Sequence, residues 1–324
     1  MTCVYITIDT EYSSGLVRDL SAAGRKDNFA RSVTCQTPDG PAGITHKLDL
    51  FERYGIRAVF FVDPMPALVW GVAAIEDVVA PILEAGQDVQ LHCHTEWLAL
   101  AGEANPLSSK RTGQNLFDFF LEEQTEILDY ARRTLVAAGA PKPVAFRAGN
   151  YGADDNTLRA LASLDLAYDT SHCPALSTGA SRISLGPQVR DPIEHEGVIE
   201  VPVGSIATLG KGQRHAQITA LSLFEMRAAI RHARDSGRES FTLVTHSFEL
   251  INRRKLAINH IVRRRFEGLC KSLSTMKGVS TGTYRDDPPR VAAHTASTPL
   301  PANPLRTGHR YAEQLVSNTL YGAL

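Results

Sequence analysis

Residues 4–11, VYITIDTE, form a run of β-branched and aromatic side chains that stops on a carboxylate, and this ending governs how the rest of the chain reads. Val, Tyr, Ile and Thr suit a pleated, buried strand. Asp9 and Glu11 belong at its end rather than in its core. The same construction recurs downstream. DVQLH (88–92) stops on His92 and runs on through Cys93, His94, Thr95 and Glu96. AFRAG (145–149) carries Arg147 into a glycine turn, AYDTS (167–171) carries Asp169, and TLVTHS (242–247) delivers His246. AVFFV (58–62) and IEVPV (199–203) complete a set of seven short strands.

Between the strands lie segments of helical period: HKLDLFERYG, IEDVVAPILEAG, FFLEEQTEILDYARRTLVAAG, NTLRALASLD and LSLFEMRAAIRHARDSG. Strand and helix alternating in this way is the pattern of βα units around a parallel sheet. The helices carry their own punctuation. Ser222 stands three residues before Glu225 as a capping box, and Gly55, Gly86, Gly139 and Gly237 fall where a left-handed closing residue is wanted. Seven strands with helical crossovers predict an α/β fold, a distorted (β/α)7 barrel over residues 1–285, with an open doubly wound sheet as the competitor. The basic segment RRKLAINHIVRRRFEGLCKSL reads as a solvated outer helix. Residues 286–324 read as a Pro-rich linker and a tail with a short helix, YAEQLVSNTLYGAL, docked on the body or on a neighbouring subunit of a homo-oligomer.

Composition narrows the class of function. The chain has 324 residues, 43% of them apolar and 21% charged, with a formal net charge of −1, which gives no footprint for nucleic acid. No run reaches the roughly 18 to 20 apolar residues of a membrane span. The first residues, MTCVYITIDTEY, lack the basic start and apolar stretch of a secretory signal. The five cysteines, Cys3, Cys35, Cys93, Cys173 and Cys270, form no CxxC pair, which favours reduced thiols in a cytoplasm.

Chemistry in parallel α/β folds gathers at the carboxyl ends of the strands. Five of the seven strands bring carboxylate, imidazole or guanidinium groups to that one rim. Alternate residues of an extended segment face the same side, so His92 and His94 can point at a common centre. Neutral imidazoles beside carboxylates suit Zn²⁺ or a similar borderline ion. Gly149 and Gly152 after Arg147 imply a backbone that turns tightly or approaches something closely.

In their order these motifs resemble the polysaccharide deacetylase superfamily, the NodB-homology carbohydrate esterases. The resemblance runs from residue 4 to about residue 250. TIDTE (7–11) stands where the family has T-F-D-D, HCHTE (92–96) where it has H-[ST]-x-x-H, RAGNYG (147–152) where it has R-x-P-Y, YDTS (168–171) in place of D-x-x-W, and LVTH (243–246) in place of the closing L-x-x-H. The resemblance implies a distorted (β/α)7 barrel that removes acetyl groups from an acetylated sugar or glycan precursor with a divalent metal, Zn²⁺ foremost. It makes Asp9 the general base, Arg147 the group that holds it ionised, His92 a metal ligand, and His246 the general acid with Asp169 as its charge partner. Backbone N–H groups of Asn150 and Tyr151 would contact the acyl oxygen.

The first motif carries Thr10 where a second carboxylate is usual, so Glu11 takes that place as a metal ligand. In the second motif, His94 or Glu96 completes the set, with His94 favoured because imidazole is the family's ligand type. His172 is the reserve candidate for the acid. Two competing expectations remain: a metal-independent amidohydrolase of the allantoinase-like kind, and a barrel that binds a glycan without turning it over.

Overall fold

The computed structural model describes residues 1–176, 179–292 and 297–322. Seven parallel strands follow one another around the molecule in chain order: β1 (Thr2–Thr10), β2 (Ala58–Val62), β3 (Asp88–Cys93), β4 (Ala145–Ala148), β5 (Tyr168–Asp169), β6 (Val198–Glu200) and β7 (Ser240–His246). β7 pairs with β1 from Cys3–Ser240 through to Asp9–His246. Between β6 and β7 the sheet closes through a single bridge, Val203 to Thr242, where the Gly204 N–H donates to the Thr242 carbonyl at 2.9 Å. The ring order and this closure make the fold a distorted (β/α)7 barrel and exclude the open doubly wound sheet.

Strand alternation sorts the side chains into two layers. Val4, Ile6 and Ile8 of β1 and Phe60 and Val62 of β2 join the large core beneath the helices. Their neighbours Tyr5, Val59 and Phe61 join Ala145, Val201 and Tyr284 in a separate cluster inside the barrel. Each fully buried aromatic or branched side chain contributes about 1.5–3 kcal/mol, and both faces of AVFFV are buried. The same period of two carries Thr7 and Asp9 of β1, and Arg147 of β4, onto the inner face above that cluster.

Helices cover the outside: α1 (Ala22–Ser32), α2 (Ile44–Tyr54), α3 (Ala73–Glu84), α4 (Leu121–Ala137), α5 (Asp155–Ser163), α6 (Leu223–Asp235) and α7 (His260–Leu273). Gly55, Gly86, Gly139 and Gly237 all have positive φ where these helices end, and the Ser222 hydroxyl accepts from the Glu225 N–H at 3.2 Å. α1 gives little periodic signal, since Phe29 is its one large apolar residue.

The C-terminal region departs from a free linker. Val279–Thr281 adds a short parallel strand beside Thr2–Val4, and Tyr284 plugs the floor of the barrel against Tyr5 and Phe61. Arg57 binds both Asp286 and Asp287, and Leu300 bridges to Ile206. The last helix, α8 (Pro304–Tyr321), begins seven residues before the predicted Tyr311, because Asn303 caps it and Pro304 occupies its first turn. It docks on the body through a buried Arg310–Glu225 pair at 3.1 Å and through Arg265–Glu313 at 3.0 Å. Its outer side leaves Leu305, Tyr311, Leu315 and Leu320 exposed, and Ala323 and Leu324 lie outside the described residues.

Candidate functional site

Asp9 and His246 close adjacent strands as register partners, with Asp9 Oδ2 3.8 Å from His246 Nε2. From β4, Arg147 reaches across the barrel interior and donates from Nη1 to Asp9 Oδ1 at 2.6 Å and to the Thr7 hydroxyl at 2.8 Å. Its guanidinium lies 4.6 Å from the Phe61 ring centre, and both members of the ion pair are buried. Burial works against the Arg147 charge, but Asp9 more than offsets it, so the arginine stays charged and fixes one carboxylate oxygen. The other oxygen is left toward His246.

The partner of His246 is Glu249. His246 Nδ1 donates to Glu249 Oε1 at 2.9 Å, and Glu249 also accepts from Gln217 and, at 2.9 Å, from Thr245. Burial by itself would lower the imidazole. The hydrogen bond and charge of Glu249, with Asp9 and Glu11 behind it, more than offset burial and raise it to about 9. His246 therefore carries its proton at neutral pH. This corrects the expectation for Asp169, whose carboxylate accepts from the Ser171 N–H at 2.9 Å and the Ser171 hydroxyl at 2.8 Å on the far side of Arg147. Burial raises Asp169, and burial together with Asp169 holds Glu200 well above the ordinary carboxylate range, so the two carboxyl groups form a buried pair engaged with each other rather than with His246. His172, the reserve acid, is fully buried and pushed down to about 4 by that burial, which leaves it neutral.

Glu11, His92 and His94 bring three ligand atoms within 4.8 Å of one another. Glu11 Oε2 is 3.2 Å from His92 Nε2 and 2.6 Å from His94 Nε2. Each imidazole is oriented from behind. His92 Nδ1 donates to the Arg147 carbonyl at 2.7 Å, and His94 Nδ1 donates to Glu96 Oε2 at 3.0 Å. Such outer partners fix the tautomer that turns Nε2 toward a metal. Of the two candidates in the second motif, His94 converges with the others and Glu96 steadies it. Asn150 Nδ2 in turn donates to Glu96 at 2.9 Å.

The donor set fits a divalent ion. Two imidazoles and one carboxylate are ligands that zinc takes, and Glu11 Oε2 is buried facing both Nε2 atoms.

The turn after Arg147 explains its glycines. A Cβ on Gly149 would lie 2.6 Å from His94 Nδ1, so only glycine lets the turn pack on that ring. Asn150 and Tyr151 both adopt positive φ, at 56° and 57°. Asn150 acts through its side chain on Glu96, and the Tyr151 hydroxyl is buried without a hydrogen bond among the described residues.

Two participants escape sequence reading. Glu249 follows His246 by three residues, across a turn that folds it back. Asp63, just past β2, is buried, accepts from the Met65 N–H at 3.0 Å and from the His94 N–H at 3.4 Å, and is pushed up to about 7 by its burial. Both stand where an acidic residue ordinarily reads as a turn former. A second group able to hold a metal, Asp155, His195 and Glu196, lies half-buried on the outer surface, where Ser184 and Arg159 already engage it.

No protein-family model and no curated protein sequence matches the chain. Solved structures do resemble it. A protein assigned as a polysaccharide deacetylase from Mycobacterium smegmatis aligns over 90% of this chain and 94% of its own, at 14% identity and a TM-score of 0.55. The α-amylase AmyC from Thermotoga maritima aligns over 93% of this chain and 76% of its own, at 10% identity and a TM-score of 0.51. A 4-α-glucanotransferase from Thermococcus litoralis gives 8% identity and a TM-score of 0.51 over 88% of this chain and 40% of its own. At these identities the likeness is one of fold, and the barrel is shared by proteins of different chemistry.

Proposed function

We propose that the chain is a divalent-metal-dependent hydrolase of the polysaccharide deacetylase type, which removes an acetyl group from an acetylated sugar or glycan precursor. The observation that carries this reading is the meeting on one rim of a three-atom ligand set with a pinned carboxylate and a protonated imidazole. The order of the motifs along the chain and the fold of the mycobacterial protein support it. Zn²⁺ is the ion we assign to Glu11, His92 and His94 on ligand type.

A divalent ion held there supplies charge that polarises the acyl group and acidifies water. Asp9 accepts the proton of the attacking water through the oxygen that Arg147 leaves open. Arg147 keeps that carboxylate ionised and fixed in direction, so little reorganisation is needed at the moment of attack. His246 gives the proton on Nε2 to the departing sugar nitrogen or oxygen, while Glu249 holds Nδ1 and the imidazolium charge. Base and acid thus work from neighbouring strands. The five unpaired cysteines support a reducing compartment, and no helix among the described residues is long and apolar enough to cross a membrane.

The test is acetate release by the metal-loaded protein from a panel of acetylated sugars, alongside the His246→Asn variant. The variant should retain its metal and lose about 10²- to 10⁴-fold in turnover on a sugar amide. It should lose far less on an activated aryl acetate, whose phenolate leaves without a proton. Equal losses on both substrates would refute the acid role, and full activity after metal removal would refute metal dependence.

A further inference from the structure

The segments that follow Glu11 and His246 wall a cavity of about 880 Å³ beside the site, bounded by Ser13 to Arg18 on one side and Phe248 to Arg254 on the other. That size admits a sugar with a substituent. Its charge is one-sided. The lining holds four arginines, Arg18, Arg31, Arg253 and Arg254, and one carboxylate, Glu249, which is already bound by His246, Gln217 and Thr245. Arg31 is satisfied by Asp27 at 2.9 Å. No carboxylate among the described residues lies within ion-pair distance of the other three guanidinium groups.

Arg253 is the informative one. Its guanidinium lies 3.9 Å from the Phe248 ring centre, and Phe248 in turn stacks on His246 with ring centres 5.1 Å apart. Arg253 Nη1 is buried and has no hydrogen-bond partner. A guanidinium nitrogen taken out of water without a hydrogen bond is costly, and although the Glu11 charge acts on this half-buried side chain, its planar fork still matches a carboxylate or phosphate. Aromatic stacking orients the fork, and the stack ends on the imidazole assigned as the acid. Arg18 and Arg254 are exposed and add positive charge at the mouth.

We infer that this cavity is the subsite for an anionic group, phosphoryl or carboxylate, carried by the substrate beside its acetylated sugar, with Arg253 as the principal contact. This rests on the deacetylase reading of the adjoining site.

Two measurements separate the inference from the reading beneath it. The first is calorimetric titration of the whole protein with inorganic phosphate and pyrophosphate for a phosphoryl source, and with malonate for a carboxylate source. One class should bind saturably, and Arg253→Gln should weaken it by about tenfold or more, the weight of one charged hydrogen-bonding pair. Arg253→Lys should recover only part of the loss, because it keeps the charge without the fork. The exposed pair Arg18→Gln and Arg254→Gln should weaken binding in the same direction, and it carries the test should Arg253→Gln fail to fold. No binding of either class, or an affinity equal in the arginine variants and the parent, which would put the anion on the metal, overturns the inference.

The second measurement is acetate release from N-acetylglucosamine, its 1-phosphate and its uronic acid. Efficient release from one charged sugar supports the inference. Equal efficiency on all three overturns it and leaves deacetylation standing. Arginine-dependent anion binding with no acetate released from any acetylated sugar sinks the deacetylase reading and keeps the anion subsite.

Discussion

Replacing Glu249 by Gln keeps its shape and removes its charge, and the structure says what this does to His246. The imidazole is raised to about 9 against an ordinary 6.5 although its burial works the other way, because Glu249 both hydrogen-bonds it and faces it with a negative charge. Without that charge only Asp9 and Glu11 oppose burial, and the imidazole returns to about 6.5 or below. At pH 7.5 a group at 9 is about 97% protonated and one at 6.5 about 9%, so the acid form falls roughly tenfold. The alkaline limb of kcat/KM, expected near pH 9 in the parent, should move down by about two units or more in Glu249→Gln. Activity should recover toward the parent as the pH is lowered to about 5.5, where both proteins carry the proton. The assay is a pH profile on a substrate with a poor leaving group, with Asp169→Asn beside it. Asp169 is committed to Ser171 and Glu200, so its change should leave the limb in place. A limb that stays near pH 9 in Glu249→Gln, or one that moves in Asp169→Asn, would refute the pairing.

Three further outcomes follow from the geometry. His92→Ala should abolish metal binding, measured by elemental analysis after gel filtration, and His94→Ala should cost more affinity than Glu96→Ala, whose loss of a supporting hydrogen bond is worth about 10- to 100-fold. A larger loss from the Glu96 change would reverse the assignment. Gly149→Ala drives a methyl group against the His94 ring and should weaken metal binding by about tenfold without unfolding the barrel; unaltered affinity would mean the turn yields instead.

Lys47, fully buried on α2, donates to the Ser247 carbonyl at 3.2 Å, and burial pulls its ammonium down to about 8. Between that value and the unfolded value near ~10.4, the unfolded chain binds the proton and the folded chain does not, so stability rises with pH across the window. Lys47→Met should flatten that rise, by on the order of 2 kcal/mol between pH 8 and 10 in urea titrations. A parent and variant with parallel profiles would contradict it.

How much of this can be read from sequence depends on which forces are local. The strands were legible because a barrel buries both their faces, so AVFFV shows as an unbroken apolar run and VYITI as a run of β-branched and aromatic residues. The rim groups were legible because a strand that ends on Asp9 or His246 announces where burial stops. The partner of His246 was not, although Glu249 stands three residues away. Its role depends on a turn whose direction no periodicity encodes, whereas Asp169 sits on a strand and looks like the better candidate. Asp63 was hidden for the same reason, in a DP pair that reads as a turn. The start of α8 was masked by its own signal, since Asn303 and Pro304, a cap and a first-turn proline, lie within a proline-rich stretch that resembles a linker.

Closure of the ring by one residue pair, Val203 with Thr242, has a consequence for how precision is distributed in the molecule. The separation of base and acid is set by the neighbouring β1–β7 ladder, which runs unbroken from Cys3–Ser240 to Asp9–His246. Every group assigned to the chemistry rides on the continuous arc from β7 through β1, β2 and β3 to β4; of the two strands that meet at the clasp, β7 carries His246 at its far end and β6 carries none. Should the clasp let go, the barrel would become a curved open sheet whose reactive edge is still intact. The ladder that sets the distance between base and acid is thus separate from the residue pair that closes the ring.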